Sequence, residues 1–117
     1  MFSYFRCELM GIVTSDLQVR SRRNGSSLVK FDIGIRNSQG EIYSQTVVAK
    51  DDLARHVVSH VKKGSVVVTH GFLSSFIFVD DQNEEQFVQE VVLNDLVAFN
   101  RHEQQGFSPG SQESLND

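Results

Sequence analysis

Two histidines have a spacing that is found in metal sites. His56 and His60 stand four residues apart, which places both side chains on one face of a helix. Val57 occupies the position where a zinc-protease motif requires Glu, and no third ligand stands nearby in the sequence. No Gly-rich phosphate loop follows a strand, and the remaining acidic cluster has the pattern of a solvated turn: Asp80, Asp81, Glu84 and Glu85. We therefore expect no catalytic residue, no metal and no cofactor.

Positive charge is concentrated near the amino terminus, although the whole chain is acidic, with a formal net charge of -4. Residues 1–50 hold seven Lys/Arg against four acids and residues 51–117 hold four against eleven, so the two parts carry +3 and -7. Arg20, Arg22 and Arg23 form the densest positive group, and Lys30 and Arg36 follow on a polar strand face. This asymmetry permits one basic, phosphate-binding face on an acidic protein.

Aromatic rings recur along one later segment. Phe72, Phe76 and Phe78 are separated by even numbers of residues, so in a strand they point to one face, and Leu73 and Ile77 point to the other. If Leu73 and Ile77 supply the buried side, the three phenylalanines form an exposed strip of rings. The alternative is a buried aromatic stripe.

The elements that position these groups are mostly strands. Alternating Phe31, Ile33 and Ile35 predict a half-buried strand, and Asn24-Gly25 is a strong hairpin signal between arms that carry the arginines. Five strands are expected in all, over residues 3–13, 28–36, 41–49, 65–78 and 86–93.

One helix is predicted over about residues 52–63. Asp51 or Asp52 is expected to cap it, and Gly64 is expected at the position that follows its carboxyl end. Its apolar side chains fall at helical spacing on one face: Leu53, Ala54, Val57, Val58 and Val61.

The composition of the chain limits the cellular compartment and the number of domains that we expect. The chain has no apolar run of about eighteen residues, and Arg6 and Glu8 interrupt the region where a signal peptide would be apolar. The single cysteine, Cys7, suits a reducing compartment. We expect a cytoplasmic protein without membrane association, with one domain over residues 1–100 and a flexible polar tail over residues 101–117.

The order of elements predicts an all-β fold. Five strands with one helix between strands three and four is the order of the OB-fold, a five-stranded Greek-key barrel. In that fold the face of strands two and three, together with neighbouring loops, binds oligonucleotides or sugars.

Particular residues sharpen this expectation to a family. A strand-turn-strand opening, a helix followed by Lys-Gly-Ser and a closing Glu-Val occur together over about residues 4–99. The matching positions are Gly11, Asp16, Arg20, Asn24-Gly25, Phe31, Gly40-Glu41, Leu53-Ala54, Lys63-Gly64-Ser65, Gly71, Leu73 and Glu90-Val91. In this order and at nearly this spacing, the chain resembles bacterial single-stranded DNA-binding proteins.

The resemblance implies a non-enzymatic protein that binds single-stranded DNA without strong sequence preference, in DNA replication, recombination or repair. It also implies a homo-oligomer, a dimer or a tetramer, and replication or recombination proteins as partners. Proteins of this kind stack bases on rings along a basic groove, at about 1–3 kcal/mol per base. The DNA-binding residues expected here are cations and rings: Arg20, Arg22, Arg23, Lys30, Arg36, Lys50, Tyr43, Phe72, Phe76 and Phe78.

The chain departs from the family pattern in three places. Phe78 matches an aromatic position, but Ser44 and Lys50 stand at two others, where Tyr43 could substitute with a shift in register. The turn before the last strand is acidic, so we expect weaker DNA affinity than in a housekeeping relative. The ending Glu113–Asp117 lacks the acidic Pro-Phe tip with which many relatives recruit repair and replication enzymes.

Two other interpretations stay open from the sequence. Gly64-Ser65 followed by Gly71-Phe72-Leu73-Ser74 also resembles primosomal replication protein B, which shares the OB-fold. A protein-interaction module, of primosome type or a mobile-element accessory, would instead dock a basic partner on the acidic half and bind DNA weakly or not at all.

Overall fold

The computed structural model of the chain describes residues 5–100, which form six strands and one helix. The elements are β1 (Phe5–Val13), β2 (Gln18–Ser21), β3 (Ser27–Arg36), β4 (Ile42–Lys50), α1 (Asp51–His60), β5 (Val66–Val79) and β6 (Glu85–Phe99). Five of these strands are the predicted ones, and β2 is the short hairpin arm that carries Arg20. The predicted tail lies outside the described residues.

The strands form one sheet that closes on itself. Its order is β1-β5-β6-β4-β3-β2, and an additional pairing of β1 with β3 joins Ile12 to Gly34 and Val13 to Ile33. β4 and β6 are parallel where Val47 meets Val91, and the other pairs are antiparallel. A small closed sheet with its helix between β4 and β5 is the OB-fold barrel, which confirms the predicted fold class.

Alternation in the strands decides which side chains form the core. On β3 the side chains of Val29, Phe31 and Ile33 are at most 2% exposed, because every second residue points into the barrel. Their neighbours in the core come from the other strands: Val13, Val47, Ala49, Val67, Val91, Leu93 and Leu96. Helix α1 adds Ala54 and Val57 to the same cluster. Burying each large aliphatic side chain stabilises the fold by about 1.5–3 kcal/mol.

Glycines allow the barrel to close where two backbones approach each other. A Cβ on Gly11 would lie 2.2 Å from the Gly34 carbonyl oxygen, and one on Gly71 would lie 2.2 Å from the Val92 carbonyl oxygen. No side chain fits at either position without moving a backbone.

The last strand is longer than predicted. β6 continues to Phe99. Its register with β5 shifts at His70/Gly71, where Gly71 pairs with Leu93 and His70 pairs with Asp95. Asn94 is therefore the extra residue of a β-bulge. The prediction stopped at Leu93 because the bulge interrupts the alternation.

The helix boundaries also differ from those predicted. α1 ends at His60, and Gly64, with φ of +96°, lies in a later turn where its N–H donates to the Val13 carbonyl (2.8 Å). The predicted cap is wrong: Lys50 precedes the helix, no side chain caps it, and Asp51 Oδ1 accepts from the Ser27 N–H (3.2 Å). No helix within residues 5–100 is long and apolar enough to cross a membrane.

Candidate nucleic-acid interface

Side chains that alternate with the core positions point out of the barrel and form one continuous surface, which we call the outer face. Its members on β3 and β4 are Leu28, Lys30, Asp32, Gly34, Arg36, Ile42, Ser44, Thr46, Val48 and Lys50, of which Val48 is only 2% exposed. Its members on β6 and β5 are Gln86, Val88, Glu90, Val92, Phe72, Ser74, Phe76 and Phe78. The face exists because the four strands are neighbours in the sheet, in the order β3-β4-β6-β5.

The strand register places cations on one side of this face and rings on the other. Lys30 pairs with Val48, Val48 with Val92, and Val92 with Phe72, so these four positions form one row across the sheet. Adjacent strands are about 4.8 Å apart, so the Lys30 and Phe72 positions are roughly 14 Å apart. Polar and aliphatic side chains lie between the cations and the rings.

The three predicted rings are exposed on the outer face. Phe72, Phe76 and Phe78 are 36%, 42% and 45% exposed, so the alternative of a buried aromatic stripe is wrong. Ile77 is 62% exposed and does not supply core, because this part of β5 extends past the end of the barrel. Gly71 leaves the alternation along β5 intact, since the extra residue of the bulge is on β6.

The amino-terminal arginines border the outer face at its β2 edge. Arg20 pairs with Leu28, which in turn pairs with Lys50, so the two cations point to the same side of the sheet. Arg22 and Arg23 lie in the turn after β2, and Arg22 lines a shallow pocket together with Lys50.

The predicted hairpin turn holds this edge in place. Asn24 Oδ1 accepts from the N–H (3.0 Å) and from the hydroxyl (2.7 Å) of Ser26, and Gly25 adopts a φ of +88°. Asn24 is not in the left-handed region, so of the two turn residues only the glycine uses that conformation.

The centre of the face contains two carboxylates that the protein itself satisfies. Lys30 Nζ donates to Glu90 Oε2 (2.6 Å), and Thr46 Oγ1 donates to Asp32 Oδ1 (2.7 Å). The Glu90 side chain is 10% exposed, and that of Lys30 is 34% exposed. Part of the Lys30 charge is therefore used within the protein. Sequence reasoning missed this pair, because its partners are 60 positions apart and no local pattern links them.

Tyr43 does not lie on the outer face. It shares the parity of Val47, pairs with Ile35 and is 57% exposed on the opposite side of the sheet, where its hydroxyl is 3.4 Å from Glu41 Oε1. The structure does not bring it together with Phe76 and Phe78, so the expected substitution for a third-strand ring is wrong for this face.

The acidic turn lies at the tip of the β5–β6 hairpin. The N–H groups of Glu84 and Gln82 donate to Asp80 Oδ1, each at 2.9 Å. The hydrogen bond from the Glu84 N–H lowers the pKa of Asp80, helped by the Gln86 side chain and the Gln82 N–H. Asp80 therefore keeps its negative charge, close to the Phe78 end of the outer face, to a lower pH than an ordinary aspartate does.

The two histidines of α1 form a stacked pair. Their ring centroids are 4.3 Å apart, and His60 Nδ1 is 2.9 Å from the His56 carbonyl oxygen. Within the described part of the chain, no three His, Cys, Asp or Glu residues are arranged to hold a metal ion.

An OB barrel that presents cations and rings on one outer face defines the class of oligonucleotide-binding proteins. Residues 4–99 match the sequence model of the single-strand binding protein family, and the chain belongs to that family. Its members are DNA-binding proteins and not enzymes, which confirms the prediction of a non-catalytic protein. The resemblance to primosomal replication protein B stays a prediction.

Solved structures agree with the fold. The mitochondrial single-stranded DNA-binding protein Rim1 of S. cerevisiae is similar, with a TM-score of 0.69 and 14% identity over 85% of this chain and 98% of that one. At this identity the likeness concerns the fold alone. No curated protein sequence matches the chain.

Proposed function

We propose that this protein binds single-stranded DNA without strong sequence preference, by laying the strand across the outer face. The observation that carries the proposal is that the cations and the rings lie on the same side of the sheet, as the strand pairings show. The residues assigned to binding are Arg20, Arg22, Arg23, Lys30, Arg36 and Lys50 for phosphates, and Phe72, Phe76 and Phe78 for bases.

The chemistry of the face supports both parts of this assignment. Every base has a π-face, so stacking on phenylalanine tolerates any sequence, whereas the bases of a duplex are already stacked on each other. Arginine and lysine contribute by displacing counterions from phosphates. The acidic tip beside Phe78 repels phosphate, so we expect lower affinity than in relatives that have a basic hairpin. DNA replication, recombination and repair are the processes that such an activity would serve.

Fluorescence anisotropy with labelled oligothymidine and with a duplex of equal length tests the proposal. We expect preference for the single strand and a steep loss of affinity with added salt. Phe78→Ser should weaken binding by roughly 5- to 150-fold, the equivalent of one stacked base. Val58→Ser serves as a control, because Val58 is an exposed apolar residue (48%) on α1 and off the outer face. Equal affinities of Phe78→Ser and the unsubstituted protein would contradict the stacking role.

We also propose that the protein is a homo-oligomer, a dimer or a tetramer, as is typical of its family. Five apolar side chains cover the outward side of β1 and of the neighbouring halves of β5 and β6, a region we call the β1 surface. They are Met10, Ile12, Val66, Val97 and Phe99, and each is between 38% and 67% exposed. The pairs Ile12–Val66 and Val66–Phe99 place three of them in one row. An apolar patch of this kind marks an interface.

A further inference from the structure

The part of the β5–β6 hairpin that extends beyond the barrel is apolar on both sides. The side opposite to the outer face, which we call the reverse face, carries Ile77, Val79 and Phe87, and Tyr43 of β4 points to the same side of the sheet. These side chains are 62%, 54%, 68% and 57% exposed. Ile77 and Phe87 stand directly opposite each other, so they form one cross-strand apolar pair.

This pair is separate from the core. Along the same side of the hairpin, the next cross-strand pair toward the barrel is Ser75 with Gln89, and only after it come Leu73 and Val91, which pack into the core. Gln45 Nε2 donates to the Gln89 carbonyl (3.4 Å), so a polar layer closes that end of the barrel. Ile77 and Phe87 therefore do not stabilise the barrel by burial.

The charges around the reverse face are negative. Glu85 pairs with Val79 on this side, and Glu41 lies next to the Tyr43 hydroxyl. Asp81 and Glu84 are exposed at the tip of the hairpin. By contrast, the cations of β3 and β4 in the described sheet point to the outer face. A DNA backbone is repelled from the reverse face, and a cationic ligand with apolar groups is attracted to it.

We propose that the reverse face is a docking site for a protein segment in which basic residues alternate with large apolar ones. Apolar side chains of the segment pack on Phe87 and Ile77, and its lysines or arginines pair with Glu85 and Glu41. If two copies met through this face, the acidic residues at its edge would lie opposite each other and repel. Charge therefore favours a basic partner. The site is on the other side of the hairpin from the proposed DNA path, so both ligands can be held together.

A labelled peptide of alternating arginine and leucine is a suitable probe, with a glutamate-leucine peptide as its control. We expect the arginine peptide to bind the full chain and the glutamate peptide not to bind. Phe87→Ser should weaken peptide binding about tenfold, as expected for a central interface side chain. Phe78→Ser, on the opposite side of the same hairpin, should leave peptide binding unchanged and weaken oligothymidine. Glu85→Gln should reduce the salt sensitivity of peptide binding.

Several outcomes would overturn the proposal. These are no binding of the arginine peptide, equal losses in Phe87→Ser and Phe78→Ser, or competition between oligothymidine and the peptide for one site. A changed mass of Phe87→Ser in light scattering would assign the face to a second copy instead. Thermal unfolding checks that Phe87→Ser is folded, and Ile77→Thr, which keeps a β-branched residue in the strand, provides a second variant with the same expected loss.

Discussion

At the scale of single residues, the Lys30–Glu90 pair shows how the outer face holds its charges. Glu90 is almost completely buried on a surface proposed to bind an anion, and Lys30 is the cation that compensates it at 2.6 Å. If a buried carboxylate loses its cation, the free-energy cost of removing the carboxylate from water remains and is no longer offset. The pair therefore has a structural role that is separate from any contact with phosphate.

Lys30→Met should lower the free energy of unfolding by about 1–3 kcal/mol, because it leaves the Glu90 carboxylate without its cation. The double variant Lys30→Met/Glu90→Gln should recover most of this loss, since the amide carries no charge. Urea unfolding midpoints measure both effects. A single variant as stable as the parent protein would show that water compensates Glu90 as well as the lysine does.

His70 is the second residue whose partners have a measurable consequence. Its Nδ1 is 2.8 Å from Asp95 Oδ1 and its Nε2 is 2.8 Å from Glu8 Oε2, so the protonated ring can donate to both. The hydrogen bond to Asp95, followed by that to Glu8, raises the pKa of His70 above its ordinary value of 6.5. The three side chains join β1, β5 and β6 at the level of the bulge.

Because the folded pKa of His70 is the higher one, its contribution to stability is complete below pH 6.5 and is lost as the pH rises through the folded value. The parent protein should therefore lose stability relative to His70→Gln between about pH 6 and about pH 8. Urea unfolding at both pH values gives this difference, and titrating groups that do not contact His70 cancel in the comparison. All three side chains are exposed, so the effect should shrink with added salt. A pH dependence that is identical in the two proteins would exclude a role for His70.

At the scale of elements, the barrel depends on two close backbone crossings. Gly11 lies where β1 crosses β3, and a Cβ there would meet the Gly34 carbonyl oxygen at 2.2 Å. Gly34 is a natural comparison, because the one atom that its Cβ would meet closer than ordinary van der Waals contact is the Thr14 Cγ2, at 2.8 Å, and that side chain can rotate.

Gly11→Ala should lower the Tm by roughly 10 °C, because the backbone must shift to admit a methyl group. Gly34→Ala should have a clearly smaller effect. Calorimetry of the two variants side by side checks the difference. Similar losses in both would mean that the crossing is not the limiting contact.

Much of the fold followed from the sequence because alternation and turn residues are local signals. The strip of Phe72, Phe76 and Phe78 was predicted in this way, since two successive even spacings are enough to assign all three rings to one side. The bulge at Asn94 was not predictable, because an extra residue leaves no mark except a broken alternation, which also indicates the end of a strand. Tyr43 was assigned to the wrong side of the sheet, because a shift of one residue in register moves a side chain to the opposite side.

At the scale of the whole molecule, the halves of the barrel surface have different chemistry. The outer face carries the cations and the rings, whereas the β1 surface is apolar and bordered by the Glu8–His70–Asp95 row. Among the strands that the structure describes, β3 pairs with β1 only at Ile12 and Val13, whereas β5 pairs with it from Phe5 to Ile12. An exposed apolar surface of this kind favours association with another copy.

Met10→Lys should therefore shift the protein toward the monomer, because a charge would be buried in the contact. Met10 is 67% exposed in the single chain, so the fold itself should be unaffected. Light scattering across a concentration series measures the mass, and Val19→Lys, which changes an exposed valine (54%) of β2, is the control. An unchanged mass in Met10→Lys would place the contact between copies elsewhere.

The length of the β5–β6 hairpin has one more consequence. These strands have 14 and 15 residues, and beyond the barrel each pairs only with the other among the strands that the structure describes. A two-stranded ribbon without further support is marginally stable and opens without unfolding the rest of the protein. Its amide protons should exchange with deuterated solvent sooner than those of β3, and a ligand on either side of the ribbon should slow that exchange. The ribbon would thus act as a built-in reporter of occupancy.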